Sequence, residues 1–301
     1  CIARRFMDKY DVVIVGAGFA GLYGLFKFRK QGLHVKVFEA GTDVGGTWYW
    51  NRYPGARCDV PSIEYSYGFS PELEQDWAWP EVFSAQPDIL AYASHVADRF
   101  DLRRDIEFDA RVTEVKLLEG EGLWQISVGG DICCLAKFCV MATGCLSVPN
   151  TPEIDGAKDF EGQVLHTGLW PKEPVDLSSK RVGVIGTGSS GVQAIPELAK
   201  MAEHLYVYQR SPVYTVPANR KAMRGEVQDE FRQNYREIRD LQQRNFGGVA
   251  NFRLTKSIKK AAPAVKQPKR MPKLMGLSDK QRAQLVAEQG LGVLLTFSDV
   301  Y

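Results

Sequence analysis

The sequence predicts an α/β fold: two dinucleotide-binding, Rossmann-like domains with a small β-meander and a helical insertion. Three observations predict it. Two apolar strand runs each lead into a G-x-G-x-x-G loop and a helical stretch. Residues 112–140 alternate with the period of short strands, around a Glu119-Gly120-Glu121-Gly122 turn. Val227, Phe231, Tyr235, Ile238 and Leu241 form a narrow apolar seam of helical period. With 301 residues the chain can build two cores, and 45% hydrophobic and 25% charged residues are ordinary for soluble globular proteins. No window approaches the roughly 20 apolar residues of a membrane span, so the expectation is a cytoplasmic protein with no membrane partner.

In the first unit, Tyr10–Val15 reads as a central parallel strand buried on both faces. Gly16-Ala17-Gly18-Phe19-Ala20-Gly21 follows it. Gly16 permits the tight turn, Gly18 lets backbone approach a pyrophosphate, and Gly21 lets helix pack on strand, while the helix N-terminus at Phe19 favours phosphate. The helix runs to about Lys30, and Gly32 closes it. The strand Val35–Phe38 then delivers Glu39, whose carboxylate can accept hydrogen bonds from ribose hydroxyls and repels a 2′-phosphate. This site therefore suits FAD or NAD rather than NADP. The next loop, Gly45-Gly46-Thr47-Trp48-Tyr49-Trp50 through Asp59, is aromatic-rich and ends in an acid, which suits the wall of a flavin pocket and favours FAD. Core packing is the alternative role for Trp48, Trp50 and Tyr53.

In the second unit, Arg181–Ile185 leads into Gly186-Thr187-Gly188-Ser189-Ser190-Gly191, a helix to about Met201, and a strand Leu205–Gln209. Arg210 stands where the first unit has Glu39. A guanidinium there accommodates a 2′-phosphate and selects NADP(H) over NAD, unless Arg210 is only a surface charge. The hydroxyls of Thr187, Ser189 and Ser190 add donors near the phosphates. Ser147–Pro152 reads as the crossing between domains. The expected division is thus 1–146 for FAD, 147–218 for NADP, and 219–301 as a helical insertion.

The net charge of +2 conceals an asymmetry: residues 1–218 hold 21 Lys/Arg against 28 Asp/Glu, and residues 219–282 hold 17 against 6. No nucleic-acid motif accompanies the basic stretch, so it reads as a solvated helical region rather than a nucleic-acid site. The six cysteines follow no zinc spacing, and no metal is expected. Cys134 and Cys139 are spaced like a redox pair but lie along a strand-like run, where buried, reduced thiols are the expectation. Nothing in the sequence specifies an oligomeric state.

Between the two loops lies Phe160-Glu161-Gly162-Gln163-Val164-Leu165-His166-Thr167-Gly168-Leu169-Trp170-Pro171. With it, the chain resembles the Baeyer–Villiger monooxygenases, flavoproteins that insert oxygen beside a ketone carbonyl. Their F-x-G-x-x-x-H-x-x-x-W-P motif is matched by Phe160, Gly162, His166, Trp170 and Pro171. Their G-G-x-W-x-x-x-x-Y-P-G-x-x-x-D motif is matched by Gly45, Gly46, Trp48, Tyr53, Pro54, Gly55 and Asp59. The resemblance is close over about residues 9–220 and nearest the phenylacetone and steroid monooxygenase branch. It implies that Glu39, Gly46, Thr47, Trp48, Tyr49, Trp50, Asp59, Tyr65 and the Val112 backbone contact FAD. Arg57, Cys58 and Asp59 would line the junction of flavin and nicotinamide. Thr187, Gly188, Ser189, Ser190, Gly191, Val192, Gln193, Arg210 and Ser211 would hold NADPH. The motif around His166 would couple domain movement rather than supply acid–base chemistry.

The resemblance also implies the reaction. NADPH reduces FAD, oxygen adds to give a C4a-peroxyflavin, and attack on a small-molecule ketone yields an ester or lactone. Asp59 is the expected catalytic carboxylate, orienting a cation that stabilises the anion formed on the ketone oxygen. The family places that arginine in a K-R-x-x-x-D segment, with no match before Tyr301; Lys269-Arg270 is the only Lys-Arg pair after the helical stretch. The 301 residues alone are therefore expected to bind FAD poorly and not to oxygenate ketones. An N-hydroxylating or sulfur-oxidising flavin monooxygenase, and a nucleotide-binding scaffold without catalysis, are the alternatives.

Overall fold

A computed structural model describes residues 8–215, 221–223 and 225–244. The basic stretch beyond residue 244, including Lys269-Arg270, lies outside the described residues. The chain divides into two compact units. Of the described residues, one unit comprises those up to Ala56, Ala85–Lys180 and Pro196–Glu203; the other comprises Arg57–Ser84, Arg181–Ile195 and the described residues from His204 to Arg244. No helix among the described residues is long and apolar enough to cross a membrane.

The first unit carries a six-stranded sheet. Its strands are β1 (Asp8–Val15), β2 (Val35–Phe38), β3 (Ile106–Glu107), β4 (Val112–Leu118), β5 (Leu123–Val128) and β6 (Asp131–Met141), in the spatial order β3-β2-β1-β6-β5-β4. β3, β2, β1 and β6 run parallel, and β4 to β6 form the expected antiparallel meander. Val12, Ile14, Val35 and Val37 are almost fully buried, as both faces of a central parallel strand require. On one face they meet Leu22 and Leu25 of α1 (Phe19–Lys30) and Ala93 and Ala97 of a later helix, Gln86–Arg99. On the other, Val13 and Phe38 meet Ile126, Cys134 and Ala136 of the meander. α1 ends where predicted: Gly32 adopts φ +79° and returns its N–H to the Arg29 carbonyl at 2.9 Å. Lys27, Arg29 and Lys30 fill its last turn, where the helix dipole favours cations.

After the short helix α2 (Thr47–Trp50), the next helix, α3 (Pro71–Asp76), belongs to the second unit, and Gln86–Arg99 in the first is α4. The second unit also holds the parallel pair β7 (Arg181–Ile185) and β8 (His204–Tyr208). α5 (Ser189–Met201) connects these two strands. α6 (Gly225–Arg244) follows, and the predicted seam buries Phe231, Tyr235 and Ile238 against Ile63.

α6 also holds the 57–84 excursion by polar contacts. Gln228 is buried, and its Oε1 accepts the Trp79 N–H at 3.2 Å. Arg239 donates from Nε to Glu74 (2.7 Å). Its two terminal nitrogens donate to the carbonyls of Ile63 (3.2 Å) and Tyr67 (3.1 Å), to Ser66 Oγ (2.9 Å) and to Gln242 (2.8 Å). All five donors of the guanidinium are used, which suits a largely buried cation. Gly68 leaves it room: a Cβ there would lie 2.7 Å from Arg239 Nε. Arg239→Leu should therefore cost about 3 kcal/mol, because it removes the cation from the mostly buried Glu74 carboxylate and the donors that tie α6 to the Ile63 and Tyr67 carbonyls. Urea unfolding followed by the fluorescence of Trp77 and Trp79 measures the loss, and Gly68→Ala should shift the midpoint the same way by less.

Candidate functional site

The first glycine loop is shaped by backbone proximity. Gly16 turns at φ +104°, and a Cβ there would lie 2.7 Å from the Ala142 carbonyl oxygen. Gly18 and Gly46 face each other, and a Cβ on Gly46 (φ +55°) would lie 2.7 Å from Gly18 Cα. A Cβ on Gly21 would overlap the Gly16 carbonyl oxygen. No side chain caps α1 at Gly18, where an anion is best compensated by the helix. Glu39, expected to bind ribose, also has an internal task. It is buried, Oε2 accepts the Ala17 N–H at 2.6 Å, and Oε1 accepts the Gly41 N–H at 2.8 Å. Each oxygen keeps a lone pair for a hydroxyl donor. This cradle of glycines and a buried acceptor fits the adenosine diphosphate part of FAD.

Trp48 and Tyr49 are buried on α2, whereas Trp50 is 39% exposed. Tyr49 is a polar junction that the sequence did not reveal. Its hydroxyl accepts from Lys172 Nζ at 2.9 Å and from the Thr42 N–H at 3.0 Å, and bonds Thr42 Oγ1 at 2.7 Å. Lys172 Nζ and the Arg52 guanidinium also lie 5.0 and 5.3 Å from its ring centre. Burial opposes ionisation of Tyr49, but the hydrogen bonds from Lys172 and Thr42 outweigh it and hold its pKa below 10.0. Lys172 directly follows Trp170-Pro171, and that adjacency was the only available signal. Within the same motif His166 is committed to backbone: Nδ1 accepts the Gly168 N–H at 3.0 Å, which leaves Nε2 as the donor to the Asn150 carbonyl at 3.2 Å. Phe160 is exposed, and its ring fills the space a Cβ on Gly162 would need. Val112 lies at the start of β4, beside a register shift in its pairing with β5.

The second glycine loop follows β7. Gly186 turns at φ +99°, and both Gly186 and Gly188 face open space, as backbone approached by a pyrophosphate must. Gly191 backs onto the Gly186 carbonyl. Thr187 Oγ1 accepts from Gln209 at 2.8 Å, and Val192 donates its N–H to the Gly188 carbonyl. Ser189 and Ser190 begin α5. Arg210 and Ser211 are exposed just past the end of β8. This open loop with its cation fits a phosphorylated dinucleotide.

Arg57, Cys58, Asp59 and Tyr65 belong to the second unit, although Gly45–Tyr53 belong to the first. Gln193 of α5 reaches them. Its Nε2 donates to Asp59 Oδ1 at 2.6 Å and to the Arg57 carbonyl at 3.1 Å, and its Oε1 accepts the Arg57 N–H at 3.3 Å. Arg57 donates to Glu81 (3.3 Å) and to the Phe83 carbonyl (3.0 Å). Asp59 is exposed and Tyr65 half-buried. Cys58 is buried, which pushes its thiol up to about 11, so it is neutral near pH 7.

The family described as pyridine nucleotide-disulphide oxidoreductase matches residues 13–247. A Baeyer–Villiger monooxygenase of Pseudooceanicola batsensis is 46% identical over 230 residues, 76% of this chain and 42% of that protein. Phenazine N-monooxygenase PhzNO1 of Lysobacter antibioticus is 39% identical over 246 residues, 81% of this chain and 44% of that protein. An oxidised steroid monooxygenase bound to NADP superposes with a TM-score of 0.79 at 49% identity, covering 94% of this chain and 51% of its own. The chain thus spans about half the length of the relatives it matches. The disulphide in the family's description has no counterpart among the described cysteines: Cys58, Cys133, Cys134, Cys139 and Cys145 are free thiols.

The Tyr49 junction predicts a titration. Tyr49 should ionise below 10.0, and the half-buried Tyr10 and buried Tyr235 only at about 12. Because the folded pKa of Tyr49 is lowered, stability from its ionisation appears as pH rises through that value and is lost as pH falls through it. Near-ultraviolet tyrosinate absorbance should lose a component that titrates below 10.0 in Tyr49→Phe, and Lys172→Met should move that component to higher pH.

Proposed function

The chain belongs to the pyridine nucleotide-disulphide oxidoreductase family, on its Baeyer–Villiger monooxygenase branch, and we propose that its protein uses FAD, NADPH and O2 to convert ketones into esters or lactones. The observation that carries this reading is the opposed chemistry of the two loops: a buried carboxylate, Glu39, at the first and a guanidinium, Arg210, after the second. FAD reduced by NADPH would supply the electrons that activate oxygen. Gly16, Gly18, Phe19, Gly21 and Glu39 would hold its adenosine diphosphate, and the Gly46–Trp50 loop with Tyr65 and Val112 its flavin. Thr187 to Gln193, Arg210 and Ser211 would serve NADPH. Asp59 would orient a cation toward the charge that develops on the ketone oxygen. The neutral, buried Cys58 would keep water away without acting as a nucleophile. The division into an FAD stretch (1–146), an NADP stretch (147–218) and a helical continuation (219–301), and a cytoplasmic location, belong to the same reading.

N-oxidation is the second reading, favoured by the similarity to a phenazine N-monooxygenase. Flavin-loaded protein should bleach on adding NADPH under nitrogen; persistent yellow colour would instead leave a scaffold. With oxygen admitted, product analysis on a ketone, an amine and a sulfide separates the readings, and oxygenation of the amine alone would overturn ketone chemistry. Arg210→Ala should weaken NADPH binding about tenfold or more while leaving NADH little changed, since it removes a charge-assisted contact to the 2′-phosphate. Equal losses for the two nucleotides in a binding titration would remove that role from Arg210.

A further inference from the structure

We propose that Gln193 is a positioning residue that couples occupancy of the second nucleotide loop to Asp59, so that bound nucleotide sets the carboxylate through α5. The inference rests on reading that loop as an NADP site. Gln193 sits in the first turns of α5, two residues after Gly191. A phosphate seated on Gly186–Gly191 acts on the N-terminus of this helix, and a helix is stiff over so short a distance. From there the Gln193 amide makes three hydrogen bonds to one short segment, as donor to Asp59 Oδ1 and to the Arg57 carbonyl, and as acceptor from the Arg57 N–H.

The chemistry of those partners dictates the orientation of the amide. A carboxylate and a carbonyl both require donors, and the Arg57 N–H requires an acceptor. A flipped amide would turn its oxygen toward the Asp59 carboxylate and its NH2 toward another N–H. Both N–H donors of Gln193 are therefore used on Asp59 and Arg57. Asp59 is exposed, so Gln193 supplies a specific restraint to a side chain that solvent would otherwise leave mobile. Linkage then requires reciprocity: if bound nucleotide restrains Asp59 through Gln193, changing Asp59 alters nucleotide affinity, and only while Gln193 is present.

The test is a double-mutant cycle on the full chain, read by calorimetric titration with the 2′-phosphate of ADP-ribose, which carries the phosphates of NADP but no nicotinamide. Asp59→Asn should change its affinity about fivefold or more in the unaltered background and less than about twofold in Gln193→Leu. Melting temperature, measured on all four proteins, reports any purely structural damage, which does not produce this non-additive affinity. An Asp59→Asn effect that persists undiminished in Gln193→Leu overturns the coupling, as does no effect in either background. Failure of the unaltered protein to bind the probe would overturn the NADP reading itself.

Discussion

The first unit depends on one buried carboxylate. Glu39 sits at the end of β2, with its backbone N–H on the Glu107 carbonyl and its own carbonyl accepting from Ala110. Its side chain reaches across to the Ala17 and Gly41 N–H groups. One residue thereby ties the β2 end to the sheet edge, to the first glycine loop and to the turn that follows. A buried charge is tolerated only when its hydrogen-bonding capacity is met, and here backbone amides meet it. The acid that the sequence marks as a ribose acceptor is thus also the group that holds the loop still. Glycines then let the loop and the Gly45–Gly46 turn approach to a distance at which a single added Cβ would collide.

The second unit is organised around helices that collect a segment from far back in the chain. Residues 57–84 lie in sequence between two parts of the first unit, yet α5 and α6 hold them through Gln193, Gln228 and Arg239. Their hydrogen bonds are supported by the apolar contact of Ile63 with Phe231, Tyr235 and Ile238. Arg57 and Asp59 thus belong to the same unit as the second glycine loop.

Tyr49 shows how a side chain inside an aromatic run can carry electrostatics. Two cations and a threonine converge on its hydroxyl and ring, and one of the cations follows the Trp170-Pro171 motif. The motif is therefore anchored to the Gly46–Trp50 loop within one unit by a bond that is charge-assisted and sheltered. His166, by contrast, spends both ring nitrogens on backbone, in keeping with a residue that shapes the motif rather than one that moves protons.

Most of the fold was legible in the sequence. β2 and β7 fall on the predicted residues, α1 stops at Gly32, and the meander and the α6 seam lie where alternation and helical period placed them. These features are local: propensity, periodicity and glycine turns act over a few residues, so a few residues record them. The two glycine loops, Glu39 and Arg210 were legible for the same reason. Lys172 on Tyr49, Gln193 on Asp59 and Arg239 on the Ile63–Tyr67 turn were not, since these pairs are separated by 123, 134 and more than 170 residues. By itself the sequence determined the strands and helices that flank the two glycine loops, the meander and the α6 seam, but not α3, α4 or β3. Only the tertiary structure decided which polar side chains meet, because a hydrogen bond selects its partner by distance and direction after packing, and no sequence period encodes that choice.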